Sequence, residues 1–299
     1  ATLSPEVIRQ LLREQLGFQG VIMTDCLEMS AVSETVGVGR GTVLAQQAGN
    51  DLILISHRYD RQLSGIEALK AAVQSGDISP EQIQQAAARV LALKEKLQKR
   101  VQTQESSPSL DWVGCSSHQQ LRDQLYDRST TLVRDSQKVL PLRLKSEQRL
   151  LLVYTHRDIW TQVEDKGYPE DFLVERLRQH HANTEVIVLN EKTTPADYEQ
   201  LYSRAKQAEL ILMVTVNALL DPQQVQVMQA LIKTGRPPVI GLAPYSPYDL
   251  LAFPELGTYL ATYEYTRPAI AAAVRLLFGE IEPQGRLPVS LPGLYPLQA

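Results

Sequence analysis

The chain has 299 residues, 43% of them hydrophobic and 21% charged, an ordinary balance for a globular protein of one large or two medium domains. Its net charge of -4 argues against nucleic-acid binding, and no apolar stretch approaches the roughly 20 residues that cross a bilayer. The cysteines, Cys26 and Cys115, make neither a disulfide framework nor a Cys/His zinc motif, so we expect no metal and no membrane partner. Residues 1–5 lack the basic and apolar regions of a signal peptide.

The first elements lead to an acidic residue at a strand end. Ser4, Pro5 and Glu6 are typical of a helix start, and apolar residues then recur at helical spacing up to Gly17. Residues 21–24 are an apolar run that predicts a buried parallel strand, with Asp25 where it stops. Ligands of β/α proteins bind at the carboxyl ends of strands, so Asp25 is a candidate nucleophile, base or metal ligand. The alternative is a cap on the next helix.

A second strand repeats this arrangement. Residues 29–41 predict a loop at the same face, 42–48 a short helix and 51–55 another buried strand, followed by His57 and Arg58. Helices over 63–76 and 80–99 complete the segment. Two parallel strands can neither close a barrel nor cover their own faces.

The polar residues 101–117 predict a linker, followed by a helix at 116–127 and a strand at 130–134. Beyond residue 148 the chain alternates strands (150–154, 185–189, 210–216, 238–242, 258–262) with helices (170–181, 195–207, 222–234, 246–250, 267–278). This alternation predicts a mostly parallel sheet with helices on both faces.

Two groups of motifs resemble a known family. GFQGVIMTDCLEM at 17–29 resembles the nucleophile segment of family 3 glycoside hydrolases, which lies on the seventh strand of a (β/α)8 barrel. It is most similar to the β-N-acetylglucosaminidase branch, because the β-glucosidase branch typically has Trp where this chain has Cys26. The later motifs resemble the C-terminal α/β domain of that family: PYDL (247–250), YLATY (259–263), TRPA (266–269), LFGE (277–280) and GRLPVS (285–290).

The resemblance implies an α/β fold in three parts. Residues 1–100 would be the last two βα units of a (β/α)8 barrel, 101–117 a linker, and 118–299 a mostly parallel α/β sandwich domain. The implied activity is that of a retaining exo-β-N-acetylglucosaminidase without a cofactor, releasing N-acetylglucosamine from muropeptides or chitin oligosaccharides with Asp25 as nucleophile.

Four residues near Asp25 are candidate substrate contacts. Thr24 and Met29 flank the proposed nucleophile, with packing or hydrogen bonding as the alternative role. His57 and Arg58 follow the second strand, with an exposed polar loop as the alternative. Two tryptophans, Trp112 and Trp160, are candidate sugar platforms, although packing between domains is the favoured interpretation of Trp112.

The acid/base that the resemblance implies is absent. In the N-acetylglucosaminidase branch it is a His within a KHFPGHG segment, and none of the five histidines, His57, His118, His156, His180 and His181, lies in such a segment. The β-glucosidase branch uses a Glu of the C-terminal domain, and the conceivable residues here are Glu164, Glu170, Glu255 and Glu264. For each of them, a solvated surface charge is the favoured interpretation. We therefore expect the chain to need a preceding barrel segment and to be inactive alone. The alternatives are a non-catalytic ligand- or partner-binding module and a β-glucosidase-type enzyme of the same family.

Overall fold

The computed structural model describes residues 1–102, 109–157 and 169–297. The chain divides into two compact units, Ala1–Ser109 and Leu110–Ala299. No helix among the described residues is both long enough and apolar enough to span a membrane.

The first unit builds a short parallel sheet between helices. Its elements are a helix at Glu6–Gln15, β1 (Met23–Cys26), α1 (Ser30–Ser33), α2 (Val38–Ala48), β2 (Leu52–Leu54), α3 (Tyr59–Ser75) and α4 (Pro80–Gln102). Strands β1 and β2 pair in parallel, with Met23 opposite Leu52 and Cys26 opposite Leu54, and the register is irregular between these two pairs. The helix at Glu6–Gln15 has π-type hydrogen bonds and ends before Gly17, whose φ is +65°.

A buried carboxylate explains why β1 begins two residues later than predicted. Asp51 accepts hydrogen bonds from the Ile22 amide (2.9 Å) and from Nε of Arg89 (2.8 Å), and it also pairs with Arg13. The Ile22 carbonyl in turn accepts from the Asp51 and Leu52 amides, at 2.8 and 3.1 Å. Ile22 therefore belongs to the Asp51 network, and the ladder starts at Met23.

Several helix boundaries in this unit also differ from the prediction, among them the start of α3 at Tyr59 and not at residue 63. Helix α2 begins at Val38 and not at residue 42, and α1 lies within the predicted loop 29–41. Helix α4 continues to Gln102, inside the predicted linker, because Lys99, Arg100 and Gln102 are good helix formers and no Gly or Pro interrupts them.

The second unit contains a six-stranded sheet among its described residues. Its longer elements are α5 (Ser116–Ser129), β3 (Thr131–Asp135), β4 (Leu150–Thr155), α6 (Glu170–His180), β5 (Thr184–Leu189), α7 (Pro195–Ala205), β6 (Leu210–Val214), α8 (Pro222–Lys233), β7 (Val239–Ala243), β8 (Thr258–Ala261) and α9 (Arg267–Phe278). The strand order is β3-β8-β7-β6-β4-β5, with β3 antiparallel to β8 and the other pairs parallel. The prediction of a mixed α/β fold with a mostly parallel sheet is confirmed.

Each face of this sheet carries a hydrophobic core. Leu151 and Val153 of β4 contribute to one core, which contains residues of α7 and α8. Leu150 and Leu152 contribute to the other, which contains residues of α6 and α9. Successive side chains of a strand point to opposite faces, so a continuous apolar strand fills both cores. The predicted helix at 246–250 is a 3-10 turn at Pro247–Ala252.

Candidate active site at the ends of the first two strands

Asp25 lies within β1, as its penultimate residue, and not beyond the end of the strand as predicted. Its side chain is exposed, and its Oδ1 accepts a hydrogen bond from the Cys26 amide at 2.6 Å. The following helix α1 has Met29 at its N-cap and no side-chain cap, so Asp25 does not cap it. An exposed carboxylate near the carboxyl end of a parallel strand is free to meet a ligand.

Thr24, the residue before Asp25, is buried and joins the two strands. Its Oγ1 accepts a hydrogen bond from the Leu54 amide at 3.0 Å, where the ladder register is irregular. This hydroxyl therefore replaces a backbone carbonyl as the partner of Leu54. The observed contact is the alternative considered for Thr24, hydrogen bonding at the strand end; its role toward substrate stays a prediction.

Met29 is about half exposed. Its carbonyl begins helix α1 by accepting from the amides of Val32 and Ser33, at 2.9 and 3.0 Å. The backbone is thus used for the helix start, and the side chain stays available at the same end of the sheet as Asp25.

Glu28 organises the loop after β2, a role that the sequence interpretation missed. Its side chain is only 5% exposed. Oε2 accepts from the His57 amide at 2.6 Å and Oε1 from the Arg58 amide at 3.2 Å, while Arg61 lies 3.9 Å from Oε1. Desolvation raises the pKa of Glu28, but the amides of His57 and Arg58 outweigh it, so the pKa is lowered overall.

His57 and Arg58 differ in what they face. Both residues are exposed. The Arg58 guanidinium makes two hydrogen bonds to Asp60, from Nε at 3.1 Å and from Nη2 at 2.7 Å. A ring nitrogen of His57, by contrast, forms a cluster with Cys26 Sγ and a Glu28 carboxylate oxygen, all within 4.8 Å of one another. Adjacent strand ends bring together residues about 30 positions apart, which no sequence spacing reveals.

The conceivable C-terminal acids have different surroundings. Glu170 is buried in the first turn of α6, with His156 Nδ1 at 3.4 Å, so the interpretation of Glu170 as a solvated surface charge is wrong. Glu255 and Glu264 are exposed, and Glu264 accepts a hydrogen bond from the Tyr126 hydroxyl. Glu164 and Trp160 lie outside the described residues. Trp112 is exposed within a 3-10 turn at Leu110–Trp112.

Comparisons with known proteins agree with the motifs. Residues 1–93 match the family described as "Glycosyl hydrolase family 3 N terminal domain". β-Hexosaminidase A from Pseudoalteromonas piscicida is 25% identical over 335 residues, covering 97% of this chain and 53% of the relative.

Two solved structures resemble the whole chain. One is a family 3 β-N-acetylglucosaminidase from a Paenibacillus species, with 32% identity and a TM-score of 0.83, covering 100% of this chain and 55% of that one. The other is a fungal multi-domain family 3 β-N-acetylglucosaminidase, with 38% identity and a TM-score of 0.85, covering 100% of this chain and 34% of that one. The chain thus spans about half the length of the Pseudoalteromonas and Paenibacillus proteins and about a third of the fungal one. On these matches and motifs, the chain is similar to glycoside hydrolase family 3 proteins, and β-N-acetylglucosaminidases of that family are among its similar relatives.

Proposed function

We propose that this chain is the nucleophile-bearing portion of a retaining exo-β-N-acetylglucosaminidase, with Asp25 as the nucleophile. The observation that carries the proposal is the exposed Asp25 carboxylate on a parallel strand, inside the family segment GFQGVIMTDCLEM. The names of the relatives support an N-acetylglucosaminide as substrate. The proposed substrate is a muropeptide or a chitin oligosaccharide, and with a muropeptide the enzyme would take part in peptidoglycan recycling.

The reaction is a double displacement. The Asp25 carboxylate attacks the anomeric carbon of the terminal sugar, and the bond to the leaving-group oxygen breaks as an acid protonates that oxygen. The resulting glycosyl-enzyme ester is hydrolysed by a water molecule, which the same group now deprotonates as a base. The resemblance assigns the acid/base to a His of a KHFPGHG segment. With an unperturbed pKa of about 6.5, a His can give and take protons near neutral pH.

Thr24, Met29, His57 and Arg58 are the proposed neighbours of the bound sugar. Thr24 acts by positioning, because its hydroxyl is already bonded to the Leu54 amide. Met29 offers an exposed apolar side chain, and His57 and Arg58 lie on the loop that Glu28 holds against the end of β1.

We further propose that residues 1–100 are the last two βα units of a (β/α)8 barrel, 101–117 the linker and 118–299 the second domain, an α/β sandwich. The exposed apolar side chains on both strands and on α3 and α4 support a barrel segment that covers them: Met23, Leu52, Leu63, Ile66, Leu91 and Leu97. Without that segment these surfaces promote association. We expect residues 1–299 alone to self-associate and residues 118–299 to be monomeric. A monomeric 1–299 chain in sedimentation would contradict the barrel proposal.

The isolated chain should not cleave alkyl or sugar β-N-acetylglucosaminides, because it lacks the acid/base. Fusion to the portion of the Paenibacillus relative that the alignment leaves uncovered should restore cleavage. In that fusion, Asp25→Ala should remove nearly all turnover, even with a nitrophenyl leaving group that needs little protonation. Asp25-dependent release of nitrophenol by the isolated chain would contradict the first expectation.

The assignment of Asp25 is tested by trapping. A fluorinated N-acetylglucosaminide with an activated leaving group slows hydrolysis of the glycosyl intermediate, and peptide mass mapping locates the bound sugar. We expect the label on Asp25 and none after Asp25→Asn. A label on another residue would refute the nucleophile assignment. Labelling by the corresponding glucoside alone would favour the β-glucosidase type, and a folded fusion without any labelling would favour a non-catalytic module.

A further inference from the structure

We propose that Cys26, Glu28 and His57 form a zinc-binding site beside Asp25. The cluster combines a thiol, a carboxylate and an imidazole, whose donor atoms all lie within 4.8 Å of one another. The cysteine and the carboxylate side chain are partly to largely buried, whereas the histidine is exposed, so a cation can enter from solvent.

The distances suit a tetrahedral ion. Zn²⁺ bonds of about 2.3 Å to sulfur and about 2.1 Å to oxygen place two such ligands about 3.6 Å apart at a tetrahedral angle. Cys26 Sγ lies 3.7 Å from Glu28 Oε2. The His57 ring lies on an exposed loop residue, so a rotation of its side chain can bring a nitrogen into the third position. The fourth position is left for water.

The backbone holds this arrangement before any ion binds. Cys26 ends β1, and its register partner Leu54 ends β2, so His57 follows three residues beyond the paired position. The bond from the His57 amide to Glu28 Oε2, at 2.6 Å, fixes the loop to the carboxylate. The Arg58 amide and the Arg61 guanidinium lie against Oε1, and Oε2 is turned toward the cysteine.

The donor set selects the metal. Thiolate and imidazole ligands favour Zn²⁺ over Mg²⁺ and Ca²⁺, which take oxygen ligands in larger numbers. On binding, the Cys26 thiol becomes a thiolate and its proton goes to solvent. Glu28 lies two residues and His57 lies 31 residues after Cys26 along the chain. This separation explains why the Cys/His spacing did not predict the site.

One consequence rests on the proposed function. Cys26 is the residue next to the proposed nucleophile, and its amide donates to Asp25 Oδ1, so an ion bound by Cys26 acts within one residue of that carboxylate. A divalent cation there attracts the Asp25 carboxylate and competes with its attack on the anomeric carbon. Zinc should therefore inhibit the complete enzyme, and a chelator should restore its activity.

Binding itself is tested without any substrate, on the full 299-residue chain. The alkylation rate of each cysteine by iodoacetamide is followed by peptide mass mapping, with and without Zn²⁺. Cys115, which lies in the second unit, is the internal control. We expect zinc to slow alkylation of Cys26 and to leave Cys115 unchanged.

His57→Gln should raise the Zn²⁺ concentration that half-protects Cys26 by more than about tenfold. Loss of an outer-shell partner alone already costs a metal site roughly tenfold in affinity, and His57 is a proposed ligand. The matched control, His118→Gln, should retain full protection. Titration with Co²⁺ gives a second readout, a thiolate-to-cobalt absorption band that Cys26→Ser removes and Cys115→Ser does not. Equal alkylation rates with and without Zn²⁺, or protection that persists in His57→Gln, would overturn the proposal. Because no turnover is measured, this result is independent of the glycosidase assignment.

Discussion

Asp249 gives the second unit a pH-dependent stability. This residue lies in the 3-10 turn Pro247–Ala252 and is only 1% exposed. Its Oδ1 accepts from the Ala218 amide at 2.8 Å, while its Oδ2 is buried without a hydrogen-bond partner. Burial raises the pKa of Asp249 from 3.8 to about 6, and the hydrogen bond from the Ala218 amide opposes the rise only in part. The Thr215 hydroxyl is near the carboxyl but not in hydrogen-bonding geometry.

The sign follows from which form the fold prefers. A pKa that is higher in the folded state than in the unfolded chain means that folding favours the protonated acid. Its contribution to stability is therefore complete below the unfolded value of 3.8 and is lost as the pH rises through about 6. A difference of about two pKa units corresponds to about 3 kcal/mol in total, of which about 2 kcal/mol falls between pH 4.5 and 7.5.

Asp249→Asn removes the titration while keeping the shape of the side chain. Its amide oxygen can still accept from the Ala218 amide, and its NH₂ group can donate toward the Thr215 hydroxyl. We expect the wild-type protein to lose about 2 kcal/mol more stability than Asp249→Asn between pH 4.5 and 7.5. Glu255→Gln, which removes an exposed charge from the same unit, should keep the wild-type pH profile.

Urea unfolding at several pH values measures this difference. Asp249 belongs to the second unit, so the loss of secondary structure of that unit, followed by circular dichroism, carries the difference. Parallel stability profiles for wild type and Asp249→Asn would refute the reasoning. They would mean that the carboxyl titrates at its ordinary value in the folded protein and is not desolvated.

Three further changes test the packing. Thr24→Val should destabilise the first unit by about 1–3 kcal/mol by leaving the Leu54 amide without its acceptor, and Thr24→Ser should restore most of this in thermal unfolding. Asp51→Ala should lower the free energy of unfolding by about 3–5 kcal/mol, because it leaves two arginines without their buried partner. Asp60→Ala, which breaks an exposed pair, should lower it by at most about 1 kcal/mol. Equal losses for the two variants would contradict this. Gly285→Ala should cost about 1–3 kcal/mol or more, since its Cβ would lie 2.5 and 2.6 Å from two backbone carbonyl oxygens; an unchanged Tm would contradict the close approach.

Local patterns of the sequence determined most of the second unit. The strands β4 to β8 lie within two residues of their predicted bounds, because each is an apolar run bounded by polar or helix-breaking residues. Helix α8 begins at Pro222 after the capping Asp221, and α9 ends before Gly279 with φ +76°. These signals act over a few residues, so they can be read from the sequence.

The same reasoning located Asp25 and the motifs that carry the family resemblance, including GRLPVS. It did not explain why that motif begins with glycine. The structure supplies the reason, since Gly285 packs directly against the backbone carbonyls of Ser129 and Thr130. That contact joins residues more than 150 positions apart, and no local pattern encodes it.

Only the tertiary structure decided the arrangement around the candidate site. The start of β1 depends on the Asp51 carboxylate, which binds the Ile22 amide 29 residues earlier. The loop that carries His57 depends on Glu28, which is also 29 residues away. The periodicity of apolar residues indicates which face of an element is buried. The hydrogen-bond donors of a buried carboxylate, by contrast, are set by which backbone and side-chain groups the packed strands place beside it. The sequence by itself therefore determined the elements and the proposed nucleophile, while the fold determined its neighbours.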